Sequence, residues 1–217
     1  MRHIVLVESP NKREKILRSL EKEFPKDSWV VLATYGHIKY LPKTEYGLKF
    51  TGSNFYSDFK EMESWGKTKK EISEMLKSSR YETDIYIATD GDREGEVIAF
   101  QIVESLGLES MKIQYHRVIF NALSHQAIVD AFKNPVKFNR HFYYAGIVRR
   151  VIDRDIGYLI SSFMYDDFRE RYGEEIASGI GRVSAPSLSI LAKKHFQRES
   201  FIEAKYRKIV VEYLYNG

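Results

Sequence analysis

Three carboxylates spaced two apart, Asp90, Asp92 and Glu94, follow directly on the apolar run from Asp84 to Thr89. Like charges repel and resist leaving water, so a strand end does not gather three of them without a reason. One reason is chemical. Mg²⁺ takes hard oxygen ligands, keeps several waters and needs only one or two direct carboxylates, so it would relieve the repulsion. The other reason is local: acidic residues in a solvated turn favour the N-terminus of the next helix, and Val97, Ile98, Phe100 and Ile102 mark such a helix. The spacing alone leaves both readings open. A second carboxylate turn stands near the start of the chain. His3 to Val7 reads as a strand and runs into Glu8-Ser9-Pro10-Asn11-Lys12, where Ser9 suits a cap and Pro10 the first helical position. In a parallel sheet both turns open at one edge, where ligands bind in open α/β folds. Glu8 would then sit near Asp90, Asp92 and Glu94, with Lys12 one helical turn further on. By itself Lys12 is an ordinary surface lysine; beside four carboxylates it can offset charge or donate a proton.

The elements that would position these groups alternate. A strand reads near residues 3–8, a helix near 11–23 and a strand near 29–34. A long connection holding Gly36, Pro42, Gly47 and Gly52 is expected to serve a surface function. A helix follows near 67–78, a strand at 84–89, a helix at 93–106 closed by Gly107, and a last strand near 113–119. This alternation implies α/β architecture with a parallel sheet covered on both faces. Beyond about residue 120 the patterns are helical, near 124–133, 139–164 and 184–195, split by Pro135 and a loop from Gly173 to Gly181. Lys208 to Tyr215 reads as a strand, with Asn216-Gly217 as a hairpin turn. Phe132, Phe138 and Phe142 are expected in the core.

Composition narrows the class. A chain of 217 residues has room for one large domain or two small ones. Its hydrophobic fraction of 43% suffices for a core, and a formal charge of +4 suits a polyanionic partner mildly. Cys is absent, which excludes disulfides and thiolate zinc sites. No apolar run reaches membrane-spanning length and no signal peptide precedes the first strand, so a cytoplasmic protein with no membrane partner is expected.

Six segments, in order, resemble one family. Val7-Glu8-Ser9-Pro10-Asn11-Lys12, then Tyr35-Gly36-His37-Ile38 with Leu41-Pro42, then Asp90-Gly91-Asp92-Arg93-Glu94-Gly95-Glu96 resemble the Toprim domain of type IA DNA topoisomerases. Phe120-Asn121-Ala122-Leu123-Ser124 is similar to the family's Phe-Asn-Glu-Ile-Thr. Arg149-Arg150-Val151-Ile152-Asp153-Arg154 with Gly157-Tyr158 resembles its Arg-Arg-hydrophobic-Asp-Arg helix, and Gly181-Arg182-Val183-Ser184-Ala185-Pro186 its Gly-Arg-Val-Gln-Ser segment. Ala122 and Ser184 depart from the pattern, as does Gly146-Ile147-Val148, where the family has Gln-x-Ala.

The resemblance implies a Toprim domain over residues 1–120, a helical single-strand DNA-binding domain over 121–200, and the start of a further β domain over 201–217. It implies that Asp90, Asp92 and Glu94 hold Mg²⁺ near the phosphodiester. Glu8 would relay a proton or help hold metal, and Lys12 would act as general acid or phosphate partner. Arg149, Arg150, Asp153, Arg154 and Tyr158 would grip single-stranded DNA, as Arg150, Arg154 and Tyr158 fall at i, i+4 and i+8. His37 would lie near the DNA, and Arg182 and Ser184 would open a helix that meets phosphate. The family's nucleophile lies in a Tyr-x-Arg-Thr-like motif. Only Tyr115-His116-Arg117 has the Tyr-x-Arg spacing, Val118 follows it, and it reads as structural. A tyrosine-bearing segment or partner subunit is therefore expected to supply the 5′-phosphotyrosine. The alternatives are a Toprim-type metal-dependent nuclease and a non-catalytic DNA-binding accessory domain.

Overall fold

Arg2–Val7 forms β1, and Ile4, Val5, Leu6 and Val7 are all fully buried. A strand covered on both faces reads as a continuous apolar run, as this one does. The computed structural model describes residues 1–52, 54–78, 82–111, 113–173, 181–203 and 205–215. A 3₁₀ turn at Pro10–Lys12 leads into α1 (Arg13–Glu23), then β2 (Ser28–Ala33). Four short strands follow: β3 (Lys39–Tyr40), β4 (Leu48–Thr51), β5 (Asn54–Ser57) and β6 (Lys60–Glu61). Next come α2 (Glu63–Ser78), β7 (Thr83–Ala88), α3 (Arg93–Leu106), α4 (Leu108–Met111) and β8 (Tyr115–Arg117). The rest is helical: α5 (His125–Lys133), α6 (Arg140–Asp155), a π turn (Ile156–Ile160), α7 (Ser161–Tyr172) and α8 (Ser184–Glu199).

The principal sheet is parallel, ordered β2-β1-β7-β8. Alternate residues of a strand point to opposite faces. Ile4 and Leu6 therefore join Ile85, Ile87, Trp65, Ile72, Ile98 and Ile102 on one side. Val5 and Val7 join Ile16, Leu20, Ile128 and Phe132 on the other. The expected α/β class with a parallel sheet is what the chain forms. Two compact units divide it, Met1–Arg154 and Asp155–Gly217. The first holds the sheet. In the second, no residue of α7 or α8 is buried.

Several expectations are corrected. Among the described residues, Lys208 to Tyr215 form no strand: the stretch is exposed and pairs with no neighbour, and extended backbone becomes sheet only by pairing. Asn216-Gly217 and residues 174–180 lie outside the described residues. Phe142 is 40% exposed, on the outer side of α6, whereas Phe132 is buried and Phe138 packs against the core. The connection after β2 is not merely loop. β3 pairs with β6 and β4 with β5, both antiparallel. Helical structure also continues beyond residue 164, to Tyr172.

Candidate active-site crevice

Val7 and Ala88 are paired residues at the carboxyl ends of adjacent strands. From β1 the chain crosses to β2 on one side, and it later returns to β7 on the other. Connections diverging in this way open a crevice at the sheet edge, the usual place for a ligand in open α/β sheets. Glu8 leaves β1 into this crevice and Asp90 leaves β7 into it. Lys12 Nζ forms an ion pair with Asp90 Oδ1. Ser9 Oγ accepts from Asn11 N–H (3.4 Å), capping the turn that brings Lys12 there. Burial pushes the Glu8 carboxyl above its ordinary pKa, Asp90 and Asp92 push it further, and Lys12 opposes them.

The acidic residues have distinct local tasks. Asp92 is the N-cap of α3, and its Oδ1 accepts from Gly95 N–H at 2.7 Å. Gly95 has no alternative: a Cβ there would lie 2.1 Å from the Asp90 carbonyl oxygen. Gly91 is held likewise, with Ile119 Cγ2 at 2.7 Å from a built Cβ. Glu94 turns the other way. Its Oε1 lies 3.5 Å from Arg149 Nη1, and its Oε2 lies 3.2 Å from His37 Nε2. The latter contact is not a hydrogen bond, since Glu94 Oε2 is buried without a hydrogen-bond partner; on the other side of the ring His37 Nδ1 is also buried and unpartnered. Burial, then Arg150, lower the His37 pKa against the opposing pull of Glu94 and Asp92.

His37 is carried by a loop stitched onto the end of β1. Thr34 N–H donates to Val7 O (2.9 Å) and Gly36 N–H to Glu8 O (3.2 Å). Between them Tyr35 has φ +60°, a left-handed conformation that costs a non-glycine residue energy and gathers at functional sites.

The paired arginines diverge, as adjacent helical residues must. Arg149 is exposed and reaches Glu94, with Asp153 Oδ2 at 3.7 Å from its Nε. Arg150 does not lie on an exposed stripe. It is half-buried, its Nη2 donates to Lys39 O (3.2 Å), and its guanidinium sits 5.4 Å from the Phe59 ring. Arg154 is half-buried. Tyr158, Arg182 and Ser184 belong to the second unit, where Tyr158 is half-buried in the π turn and the other two are exposed. Ser184 Oγ accepts from Gly181 N–H at 3.0 Å, closing its own turn.

One positioning pair was not singled out from the sequence. Arg117 and Glu96 are 0% and 2% exposed and joined at 2.9 Å. Arg117 Nη1 also donates to the carbonyls of Ile87, Thr89 and Val118, and Nη2 to that of Asp90 (2.8 Å). Glu96 Oε1 accepts from Asn139 N–H (2.6 Å). The available signal was a charge of each sign at positions patterned as buried strand and buried helix. Tyr115 belongs to the same strand. Its hydroxyl donates to Glu109 (3.4 Å) and its ring packs on Phe138.

The donors suit a hard divalent cation. Glu8, Asp90 and Asp92 offer carboxylate oxygens, and burial, then the charges of Asp90 and Asp92, raise the Glu8 pKa. Among the described residues no three acidic or histidine side chains close on one point. Mg²⁺ accepts such openness, because it keeps waters and shares its remaining positions with phosphate oxygens.

Residues 3–123 match the family model described as the Toprim domain. Over 210 residues the chain is 31% identical to DNA topoisomerase 1 of Campylobacter jejuni, covering 96% of this chain and 27% of that protein. DNA topoisomerase 1 of Aquifex aeolicus is 32% identical over 203 residues, covering 94% and 34%. The structure of full-length topoisomerase I from Thermotoga maritima superposes with a TM-score of 0.71 at 27% identity, over 92% of this chain and 31% of that one. The chain thus spans about a third or less of these relatives' lengths.

Proposed function

The chain belongs to the Toprim domain family and is homologous to the N-terminal region of bacterial DNA topoisomerase 1, and on that premise we propose that it forms the metal-holding, strand-gripping part of a type IA DNA topoisomerase. The observation that carries this reading is the crowding of Glu8, Asp90 and Asp92 at the switch-point crevice, with Lys12 paired to Asp90.

Asp90 and Asp92, with Glu8 or Glu94 beside them, would hold Mg²⁺, which when bound neutralises phosphate charge as a Lewis acid. The remaining work falls to the chain's own groups. Glu8, with its raised pKa, retains a proton more readily than an exposed glutamate, which suits proton exchange with a leaving 3′ oxygen. Lys12 supplies positive charge to a phosphate that displaces Asp90 from it. Arg149, exposed beside the crevice, meets the strand backbone. The nucleophile would come from a tyrosine-bearing segment or subunit beyond these 217 residues.

Two assays test this. Binding of single-stranded DNA should weaken as salt rises, and Arg149→Ala should weaken it further and lower the salt slope by about one phosphate. The chain alone should neither relax supercoiled DNA nor form a covalent adduct, and a tyrosine-bearing partner should restore Mg²⁺-dependent relaxation. Absence of single-strand binding would sink the reading, and Mg²⁺-dependent nicking by this chain alone would favour the nuclease.

A further inference from the structure

Of the carboxylates spaced two apart, Asp90 is paired to Lys12 and Asp92 caps α3, whereas Glu94 is drawn towards α6. Two groups draw it. Arg149 Nη1 lies 3.5 Å from Oε1, and His37 Nε2 lies 3.2 Å from Oε2. All three residues belong to the first unit. Neither contact is a well-formed hydrogen bond. The first exceeds about 3.2 Å, the upper end for N–H···O, and Oε2 is buried with no hydrogen-bond partner. A buried carboxylate oxygen left unmatched is a costly resting place. The arginine is loosely held too: it is exposed, and Asp153 Oδ2 competes for it at 3.7 Å from Nε. Exposed pairs of this kind add little to stability, so the pair gives way easily to a better partner. Glu94 meanwhile stays in the neighbourhood of Asp92, since the charges of both reach His37.

We propose that Glu94 is a gated carboxylate of the metal site: Arg149 and His37 hold it aside in the free chain, and it turns to join Asp90 and Asp92 when a strand phosphate takes Arg149. The proposal rests on the metal-holding, strand-gripping reading of the chain. A guanidinium fork meets phosphate through two bonds at once, which its single long contact with Glu94 does not offer. Once the arginine is taken, Glu94 has lost its countercharge, and a divalent cation beside Asp90 and Asp92 replaces it. The movement is small in kind. Glu94 sits in the first turn of α3, so its side chain rotates while its backbone stays in the helix. The carboxylate can reach Mg²⁺ directly or through one of the waters the ion keeps. Strand and metal then bind with positive coupling, and because coupling is reciprocal each tightens the other by the same factor. The chain would complete its metal site only where a strand is present.

The test is a double-mutant cycle on Mn²⁺ binding without DNA, read from the paramagnetic resonance of the free ion. Mn²⁺ shares the oxygen preference of Mg²⁺. Arg149→Ala should tighten Mn²⁺ binding at least about fivefold, because Glu94 is released. In the Glu94→Gln background the same change should have no effect. Simple removal of a positive charge near the site would act in both backgrounds, so equal tightening in the two would overturn the proposal, as would no tightening in either. Should Arg149→Ala disturb α6, Arg149→Gln keeps the stem of the side chain and makes the same comparison. A second arm adds the strand. Oligo-dT should tighten Mn²⁺ binding to the parent by more than it tightens binding to Glu94→Gln, and an equal effect on both would count against the gate. If the parent holds Mn²⁺ no better than Asp90→Asn/Asp92→Asn, the metal reading falls and the gate with it. If that difference stands and oligo-dT binds, yet Arg149 and Glu94 show no coupling, the gate alone falls.

Discussion

At the scale of single residues, the crevice depends on groups that never touch it. Arg117 clamps the carbonyls of Thr89 and Asp90 from below while Glu96 balances its charge. Removing one partner of a buried pair leaves the other charge uncompensated, so Arg117→Met should cost about 3–5 kcal/mol in urea denaturation. A loss below about 1 kcal/mol would mean that water reaches the pair. His3 gives a second prediction, at the opposite end of β1. It is buried, stacked on Trp29 at 4.3 Å, and its pKa is lowered chiefly by burial against the pull of Asp27 and Asp84. The unfolded state therefore takes up this proton more readily than the folded one. Stability from this group is fully present above the ordinary value of about 6.5 and is lost as pH falls below it. Thermal melts of the parent from pH 7.5 to 5 should drop, and His3→Phe should shrink the drop. His37, shifted in the same direction, accounts for part of what remains.

At the scale of elements, Gly146 sets how closely α6 approaches α3. A Cβ there would lie 2.5 Å from Val97 Cγ2 and 3.0 Å from the Arg93 carbonyl oxygen. Gly146→Ala should therefore cost roughly 1–3 kcal/mol as an overpacked contact, and it should weaken single-strand binding by moving Arg149 off Glu94. Normal binding at reduced stability would show that α6 need not sit so close. The same elements show what the sequence could announce. Strand β1 was legible because burial on both faces makes its apolar run continuous, and β7 because Ile85, Ile87 and Ala88 are buried ahead of the carboxylate turn. The helix α3 was legible at both ends, from Asp92 at its N-cap to Gly107 at φ +65° at its C-cap. Carboxylates following two parallel strands were enough to expect a shared edge. The hairpin strands β3 to β6 were not legible, because two to four residues give no period to read. Lys208 to Tyr215 misled because strand character belongs to a pair of segments and not to one. The inward turn of Arg150 was hidden because its partners, Lys39 and Phe59, lie about a hundred residues away in the chain.

At the scale of the whole chain, burial is unequally distributed. The sheet and the helices covering it hold the buried core, while α7 and α8 bury no side chain. Local opening free energy follows buried contact. Hydrogen exchange should therefore show backbone amides of β1 and β7 protected to the global limit and those of α8 exchanging far sooner. Equal protection in the two would contradict this division. The metal reading has a global readout too. A ligand that binds only the folded state raises its melting temperature, so Mg²⁺ should stabilise the parent and have no such effect on Asp90→Asn/Asp92→Asn.

The crowded carboxylates carry a cost that a population of sequences would register. Burial, then Asp90 and Asp92, push the Glu8 carboxyl above its ordinary pKa, so a neutral amide at position 8 without metal should make the fold more stable. In a saturation library propagated only for soluble expression, Gly91, Gly95 and Arg117 should resist change while Glu8 and Asp90 drift towards amides. Under selection for work on DNA the carboxylates should return. Comparing the two lineages would separate what this chain needs in order to exist from what it keeps in order to act.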